Sequence, residues 1–345
     1  LGAVKDANIV RPVFVMVHAM NALTFAALRL LSHAEFRSGE EIGAALGVSR
    51  TSVSNALAGL DAYGVRVFRL RGRGYRLAEP IEWIDRERVL PHLGVAAGAV
   101  QLEVADIVES TNTALLRKAG TGAAHGAVLV AEFQTEGKGR RGRRWEASPG
   151  GNLTFSLLWR FQQGIAQLGG LSLAVGVALA RAVRAAGVRD IAVKWPNDLV
   201  HHYRKLGGIL IELQGEALGP AAAVIGVGLN FQLAPEVKGR INQAVTDVRE
   251  AGAYRVGRNE LLGLLLQHLI PVLREFEQHG FGPLRREWQE AHAYDRRPVA
   301  LLAPSGTREL GSVVGVDEDG ALLVDCGAGP RRFAAGEISL RGERD

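Results

Sequence analysis

Gln134-Thr135-Glu136-Gly137-Lys138-Gly139-Arg140-Arg141-Gly142-Arg143-Arg144-Trp145 is the stretch around which this chain is organised. Lys138, Arg140, Arg141, Arg143 and Arg144 crowd into one short segment, and Gly137, Gly139 and Gly142 interrupt them. Glycine lets a backbone turn with positive φ and approach a ligand closely. Successive N–H groups in such a turn make a nest for an anion, and the arginine fork matches phosphate and carboxylate oxygens. By itself the segment suits a mobile loop for a polyphosphate or an activated carboxylate. It equally suits a solvated basic loop or one that binds nucleic acid.

Further blocks frame it. Upstream lies Glu109-Ser110-Thr111-Asn112. Downstream come Val193-Lys194-Trp195-Pro196-Asn197-Asp198 and Arg204-Lys205-Leu206-Gly207-Gly208-Ile209-Leu210, then Gly226-Val227-Gly228-Leu229-Asn230. In this order and at this spacing the blocks resemble biotin–protein ligases. The resemblance is strongest at G-K-G-R-R-G-R-R-W and K-W-P-N-D and extends from about residue 23 to residue 341.

The totals bound the answer. At 345 residues the chain has room for two or three domains. Its 47% hydrophobic and 22% charged content is that of an ordinary globular protein. The net charge of +5 leans toward an acidic or nucleic-acid partner. Cys326 is the single cysteine, which excludes an intramolecular disulfide framework and a cysteine-rich metal site and fits a reducing cytoplasm. No apolar run reaches the roughly 18 residues of a membrane span, so no membrane partner is expected. The chain starts at Leu1 and its first methionine is Met16. Residues 1–20 are expected to be an extension or an expression remnant outside the fold, without the cationic start and cleavage site of a signal peptide.

From residue 21 to 80 the pattern is helix, turn, helix, hairpin. Residues 23–32 have helical spacing of apolar residues. Ser38 with Glu41 three residues on makes a capping box. Gly47-Val48-Ser49 is a turn, and a second capped helix is expected from residue 49 to about 63 with Val53, Leu57 and Leu60 inward. Residues 65–70 and 74–77 read as a hairpin. This is a winged helix-turn-helix. Arg50, Thr51, Ser52 and Asn55 on the second helix suit major-groove edges and phosphates, and Arg71 and Arg73 suit a phosphate-gripping wing. The competing reading is a module for protein contacts only.

Residues 81–295 mix strands and helices. Residues 81–93 are expected to connect. Strands are expected at 102–108, 127–134, 151–161, 191–195 and 221–231, with a hairpin at 199–213 bent at 201–204. Helices are expected at 111–119, 168–186, 259–279 (with Pro271 kinking it) and 282–294. Residues 233–252 are a candidate lid loop. Adjacent His201 and His202 lack a third ligand at suitable spacing, so no protein metal site is expected. The Gly226-x-Gly228 pair is weak evidence for a nucleotide fold. Short strands at 299–302, 310–316, 321–326 and 330–334 read as a small barrel in residues 296–345.

The resemblance implies an α+β chain with an N-terminal winged helix-turn-helix, a central mixed-sheet catalytic domain like class II synthetases, and a C-terminal SH3-like β-barrel ending in Gly-Glu-Ile-Ser-Leu-Arg at 336–341. It implies adenylation of biotin by ATP and transfer of the biotinyl group to a lysine of a biotin carboxyl carrier domain. The implied biotin contacts are Ser110, Thr111, Asn112, Gln134, Lys138, Gly139, Arg140 and Lys194, with the Gly226 and Gly228 backbone lining the pocket. The bare residues leave Ser110, Thr111 and Asn112 equally open to simple helix capping. Attack of a carboxylate on an α-phosphate brings anions together, so positioning and charge neutralisation dominate. Lys194 and Arg140 are the catalytic candidates, Arg140, Arg143 and Asn230 the ATP or adenylate contacts, and Mg²⁺ is expected to bridge phosphates. Asp198 suits either a metal-bound water or a hairpin cap, and Trp195 either the site floor or the core. Arg140 is further expected to close the loop over the adenylate. Two departures stand out: Lys138 replaces the family's more frequent arginine, and Val245 falls near an adenine-stacking aromatic. With its helix-turn-helix the chain resembles the bifunctional type, in which an adenylate-bound homodimer represses biotin-synthesis genes on operator DNA. The alternatives are a lipoate-type ligase and a non-catalytic biotin-sensing regulator.

Overall fold

The computed structural model describes residues 20–303, 306–335 and 338–342. Residues 1–19 of the expected extension, and Gly336 and Glu337 of the expected closing motif, lie outside them. The chain divides into two compact units, Leu1–Pro80 and Ile81–Asp345.

The first unit holds α1 (Ala22–Arg29), α2 (Gly39–Leu46), α3 (Arg50–Ala56) and the antiparallel hairpin β1 (Val67–Leu70) and β2 (Gly74–Leu77). Ser38 and Glu41 close the capping box of α2, and Gly47, left-handed at φ 67°, ends it. Ser49 accepts from Ser52 N and caps α3. The expected long second helix is shorter. It stops at Ala56, and a separate 3₁₀ turn covers Leu60–Tyr63, because Gly59 sits at φ 74°, which no α-helix continues through. Phe25, Leu28, Ile42, Val53 and Leu60 form the buried interior. Arg50, Thr51 and Asn55 stay exposed on α3, while Ser52 is half-buried with its hydroxyl on Ser49 Oγ. Arg71 and Arg73 stand exposed at the hairpin tip.

The second unit begins with α4 (Arg86–Val89), β3 (Gln101–Val108), α5 (Thr111–Gly120), β4 (Ala127–Gln134), β5 (Asn152–Phe161) and α6 (Leu171–Ala185). β6 (Ile191–Lys194), β7 (Asp198–His201), β8 (Arg204–Gly215), β9 (Ala221–Asn230), α7 (Pro235–Lys238), α8 (Arg258–His279) and α9 (Gly282–Ala291) follow. The chain closes with β10 (Pro298–Leu302), β11 (Arg308–Val316), β12 (Leu322–Asp325), β13 (Pro330–Phe333) and β14 (Ser339–Gly342). A seven-stranded mixed sheet runs β3-β4-β5-β9-β8-β7-β6, with only β3 and β4 parallel among its neighbours. The last five strands form an antiparallel sheet in the order β13-β12-β11-β10-β14. α8 continues through Pro271, whose neighbours Ile270 and Val272 are fully buried, so packing carries the helix past the missing N–H. α6 starts later than expected because Gly170 is left-handed at φ 76°, and burial extends around most of its surface rather than one stripe.

Strand alternation sorts the two faces of the sheet. Leu153, Phe155, Leu157, Trp159 and Phe161 of β5, with Ala223, Ile225, Val227 and Leu229 of β9, join the core shared with α6 and α8. The intervening positions face the other way. There Leu158 and Val224 pack with Leu115 and Ala119 of α5, while Thr154, Gly226 and Gly228 line a cavity.

A buried ion pair ties the sheet to α8. Arg258, 1% exposed, places Nη1 2.8 Å from Glu132 Oε2 on β4. It also donates to Glu82 O at 2.6 Å and Asn152 O at 2.8 Å. Glu132 Oε1 accepts the Ile84 N–H at 2.5 Å. Removing one partner of a buried pair strands the other, at a cost of about 3–5 kcal/mol. Arg258→Met is therefore expected to lower the urea midpoint of the second unit sharply. Breaking the exposed Arg286–Glu290 pair with Arg286→Ala is expected to leave that midpoint in place. Equal effects of the two substitutions would contradict this reading.

Candidate active site

The cationic stretch folds into a hydrogen-bonded loop. Lys138 and Arg144 form an isolated antiparallel bridge. Gly139 N donates to Arg143 O at 2.7 Å, and Trp145 N to Gly137 O at 2.8 Å. Arg141 takes positive φ (57°) between Arg140 and Gly142. Arg140 donates to Asn197 Oδ1 at 3.2 Å and to the carbonyl of Ala335, and Arg141 donates to Ile338 O at 3.2 Å. The loop is thereby latched to Ala335 and Ile338, which precede β14, and to the residue after Pro196. Burial, with Arg141 and Arg143 nearby, pulls the Arg140 guanidinium below its ordinary pKa, while Asp198 acts in the opposite sense. A cation held in that environment gains from an anionic ligand.

A cavity of about 560 Å³ opens between this loop, the β5–β9–β8 face and residues 240–245. It brings together Ser110, Thr111, Asn112, Gln134, Lys138, Gly139, Arg140, Arg143, Lys194, Gly226, Gly228 and Asn230, every expected ligand contact of the second unit. Of its described lining residues the acidic ones are Glu146, paired with Arg240 at 3.3 Å, and Asp198, paired with Lys205 at 2.7 Å. Cations otherwise dominate the lining, so the field favours an anion. Asp198 thus holds Lys205 across the β7–β8 hairpin.

Ser110 sits at the N-cap of α5 but makes no side-chain capping bond. The residue is buried and lines the cavity. Thr111 N donates to Gln134 Oε1 at 2.7 Å, so the amide nitrogen of Gln134 is left to donate elsewhere. Gly226 and Gly228 are required by close approach. A Cβ at Gly226 would lie 2.2 Å from Asn112 Oδ1, and one at Gly228 2.7 Å from the Trp145 ring. Trp145, which the sequence reading left without a role, therefore covers β9 and lines the cavity. Thr154 and Arg341 also line it and were not anticipated. Small polar residues at alternate positions of an otherwise apolar β5 were the available signal for Thr154. Nothing local marked Arg341. Asn230 is committed to the framework: Nδ2 donates to Lys205 O at 3.3 Å and Thr246 O at 3.0 Å, and Oδ1 accepts from Asn152. The expected lid residues 240–245 form one wall, with Ala244 and Thr246 bonded to the Lys205 backbone and Val245 in the lining.

Lys194 ends β6, its Nζ 5.4 Å from the Tyr294 ring centroid. Trp195 follows, 1% exposed, donating its indole N–H to Gly320 O at 3.1 Å and lining the cavity as well, before a cis peptide to Pro196. His292 lies beside them. Its Nε2 accepts the Trp195 N–H at 3.4 Å and its ring stacks on Trp288. Burial first, then Lys194, pushes its pKa down to about 3, so the imidazole is neutral. A neutral ring leaves Lys194 as the cation of this corner. Among the described residues no group of three or more His, Cys, Asp or Glu could hold a metal ion, and no helix is long and apolar enough to cross a membrane.

Comparison with known proteins matches three stretches of the chain. Residues 104–230 match the Biotin/lipoate A/B protein ligase family, residues 24–76 an HTH domain, and residues 297–341 the Biotin protein ligase C terminal domain. The chain is 38% identical over 322 residues to the bifunctional ligase/repressor BirA of Escherichia coli, covering 93% of this chain and 98% of that one. It is 32% identical over 240 residues to the biotin–[acetyl-CoA-carboxylase] ligase of Paracoccus denitrificans, covering 68% and 98%. The solved structure of a biotin protein ligase from Aquifex aeolicus in complex with biotin and ATP is similar at TM-score 0.59 and 27% identity, over 70% of this chain and 99% of that one.

The neutral state of His292 has a measurable consequence. Its folded pKa of about 3 lies below the ordinary 6.5. The unfolded chain therefore takes up a proton that the folded chain refuses, and stability falls as pH drops below about 6.5, by about 1.4 kcal/mol per unit until pH nears 3. The stability advantage of the wild-type chain over His292→Asn, from urea midpoints, is expected to shrink between pH 7 and pH 5. Parallel pH profiles would show that His292 titrates normally.

Proposed function

Because the chain belongs to the biotin–protein ligase family, we propose that it adenylates biotin with ATP and transfers the biotinyl group to a lysine of a biotin carboxyl carrier domain. We propose in the same reading that its helix-turn-helix unit represses biotin-synthesis genes. The observation that carries the first part is the single cavity in which the Ser110–Asn112 and Gln134 hydrogen-bonding groups meet Lys194 and the Arg140 loop. An uncharged bicyclic ring needs a dry slot with a few fixed polar groups. A triphosphate needs cations and glycine backbone.

In the first half-reaction the biotin carboxylate attacks the α-phosphorus of ATP, and pyrophosphate leaves. Lys194 lies between the two anions and neutralises them as they approach. Arg140 and Arg143 take phosphate oxygens, Arg140 exchanging its bonds to Asn197 and Ala335 for the ligand. Lys138 and Gly139 support the loop over the biotin side. Asn230 acts from below, holding the backbone of Lys205 and Thr246 beside the nucleotide. In the second half-reaction the acceptor lysine amine attacks the carbonyl of biotinyl-5′-AMP, and AMP leaves. Mg²⁺, when bound, offsets phosphate charge. The donor set here suits a metal carried on the nucleotide, since the lining carboxylates Glu146 and Asp198 are already paired with Arg240 and Lys205.

On the DNA side, Arg50, Thr51, Ser52 and Asn55 of α3 read the major groove and Arg71 and Arg73 of the wing grip phosphates. An adenylate-bound homodimer presents two such units to a palindromic operator, which requires that the adenylate bind the dimer-competent state more tightly.

Biotin-dependent exchange of labelled pyrophosphate into ATP tests the enzyme, with lipoate as the control. Exchange with biotin alone is expected, and exchange with lipoate alone would replace the substrate. Arg140→Gly is expected to release reactive adenylate and biotinylate bystander proteins. Unchanged acceptor selectivity in that variant would remove Arg140 from the closing role.

A further inference from the structure

The amide of Asn112 is spent before any ligand arrives. Its Nδ2 donates to Leu210 O at 3.1 Å and to Glu212 Oε2 at 2.7 Å, both on β8. Its Oδ1 lies 2.6 Å from Ser156 Oγ on β5. An amide oxygen only accepts, so Ser156 commits its one proton there. Ser156 Oγ also lies 2.7 Å from Thr111 Oγ1. With its proton gone Ser156 can only accept, so the Thr111 hydroxyl proton points toward Ser156. Thr111 Oγ1 then has no proton for Gln134 Oε1 at 3.1 Å, and that oxygen is held by the Thr111 backbone N–H instead. Counting protons from Glu212 onward leaves one arrangement: Thr111 Oγ1 offers lone pairs, and Gln134 Nε2 offers N–H donors.

We propose that Ser156 and Glu212 are positioning residues that fix this hydrogen-bond polarity and thereby select a cyclic urea. A ureido ring has N–H groups that need an acceptor and a carbonyl that needs donors. The carboxylate of Glu212, together with the Leu210 carbonyl, presents Asn112 with acceptors, which sets the amide. The amide sets Ser156, and Ser156 sets Thr111. Ser156 is fully buried, and Glu212 borders the neighbouring outer cleft rather than the cavity that holds the ligand. Both therefore act through the residues between them and the ring. The proposal rests on the assignment of biotin to this cavity.

The test is biotin affinity by calorimetry and steady-state kinetics on the full chain, with 2-iminobiotin, in which an imine nitrogen replaces the ureido oxygen, as the mismatched probe. Ser156→Ala and Glu212→Ala are each expected to weaken biotin binding about tenfold or more, and to narrow the preference for biotin over 2-iminobiotin, because freed hydroxyls can turn. The KM for ATP, and kcat at saturating biotin, are expected to stay within about twofold. Glu212→Gln keeps an acceptor for Asn112 and is expected to restore biotin affinity to within about threefold of wild type. Wild-type affinity in the alanine variants, an ATP KM that rises in step with biotin, or a Glu212→Gln variant as impaired as Glu212→Ala would each overturn the proposal. A wild-type chain that binds no biotin would overturn the ligand assignment itself, and the proposal with it.

Discussion

Everything in the second unit depends on the period of two along β5 and β9. One face of these central strands must be bulky and apolar, because it packs into the core shared with α6 and α8. The opposite face must be small or polar over the same residues, because a cavity has to fit there. Leu153, Phe155 and Leu157 satisfy the first demand, and Thr154, Gly226 and Gly228 the second, with Ser156 buried beneath Thr111 and Asn112 on the same face. A one-residue slip in register would put phenylalanine into the cavity and serine into the core. Register is held by the long antiparallel pairing of β5 with β9, from Asn152 opposite Asn230 to Phe161 opposite Ala221. The Arg258–Glu132 pair fastens the adjacent β4 to α8, and Arg258 also donates to Asn152 O of β5.

Electrostatics divides the cavity by chemistry. Around Ser110 to Asn112 the lining groups are neutral hydroxyls and amides, and Thr111 and Asn112 are hydrogen-bonded. Around Lys194 and Arg140 the groups are cationic and only partly compensated. His292 contributes by staying neutral: a second charge beside Lys194, away from solvent, would cost more than the fold can return. The reactive end of a substrate would thus meet charge while its ring meets directed hydrogen bonds.

Much of this was legible in the sequence because it rests on local or repeating signals. The Ser38–Glu41 capping box, the Gly47 turn, the alternation in β5 and the four motif blocks each carry their meaning in neighbouring residues. What escaped depends on distant partners. Helix α3 ends early because Gly59 takes a left-handed conformation, and a glycine within a helical pattern does not declare its φ. Trp145 reads as the end of a basic motif, and only the fold lays its ring on Gly228. Glu212 resembles any polar residue near the end of a strand until Asn112, a hundred positions earlier, reaches its carboxylate. Arg341 enters the cavity from the far end of the chain.

The bonds from Arg140 and Arg141 to the carbonyls of Ala335 and Ile338, and from the Trp195 indole to Gly320, all end in the last five-stranded segment. That segment is separate as a sequence family, yet it holds the resting shape of the loop. Its backbone oxygens occupy donors of Arg140 and Arg141, so an anion that drew on those guanidinium groups would have to displace the tail. In structural terms the loop and the tail are one hydrogen-bonded part. A chain that exchanged its final fifty or so residues for those of a distant relative would keep every motif and still change how readily its arginines let go.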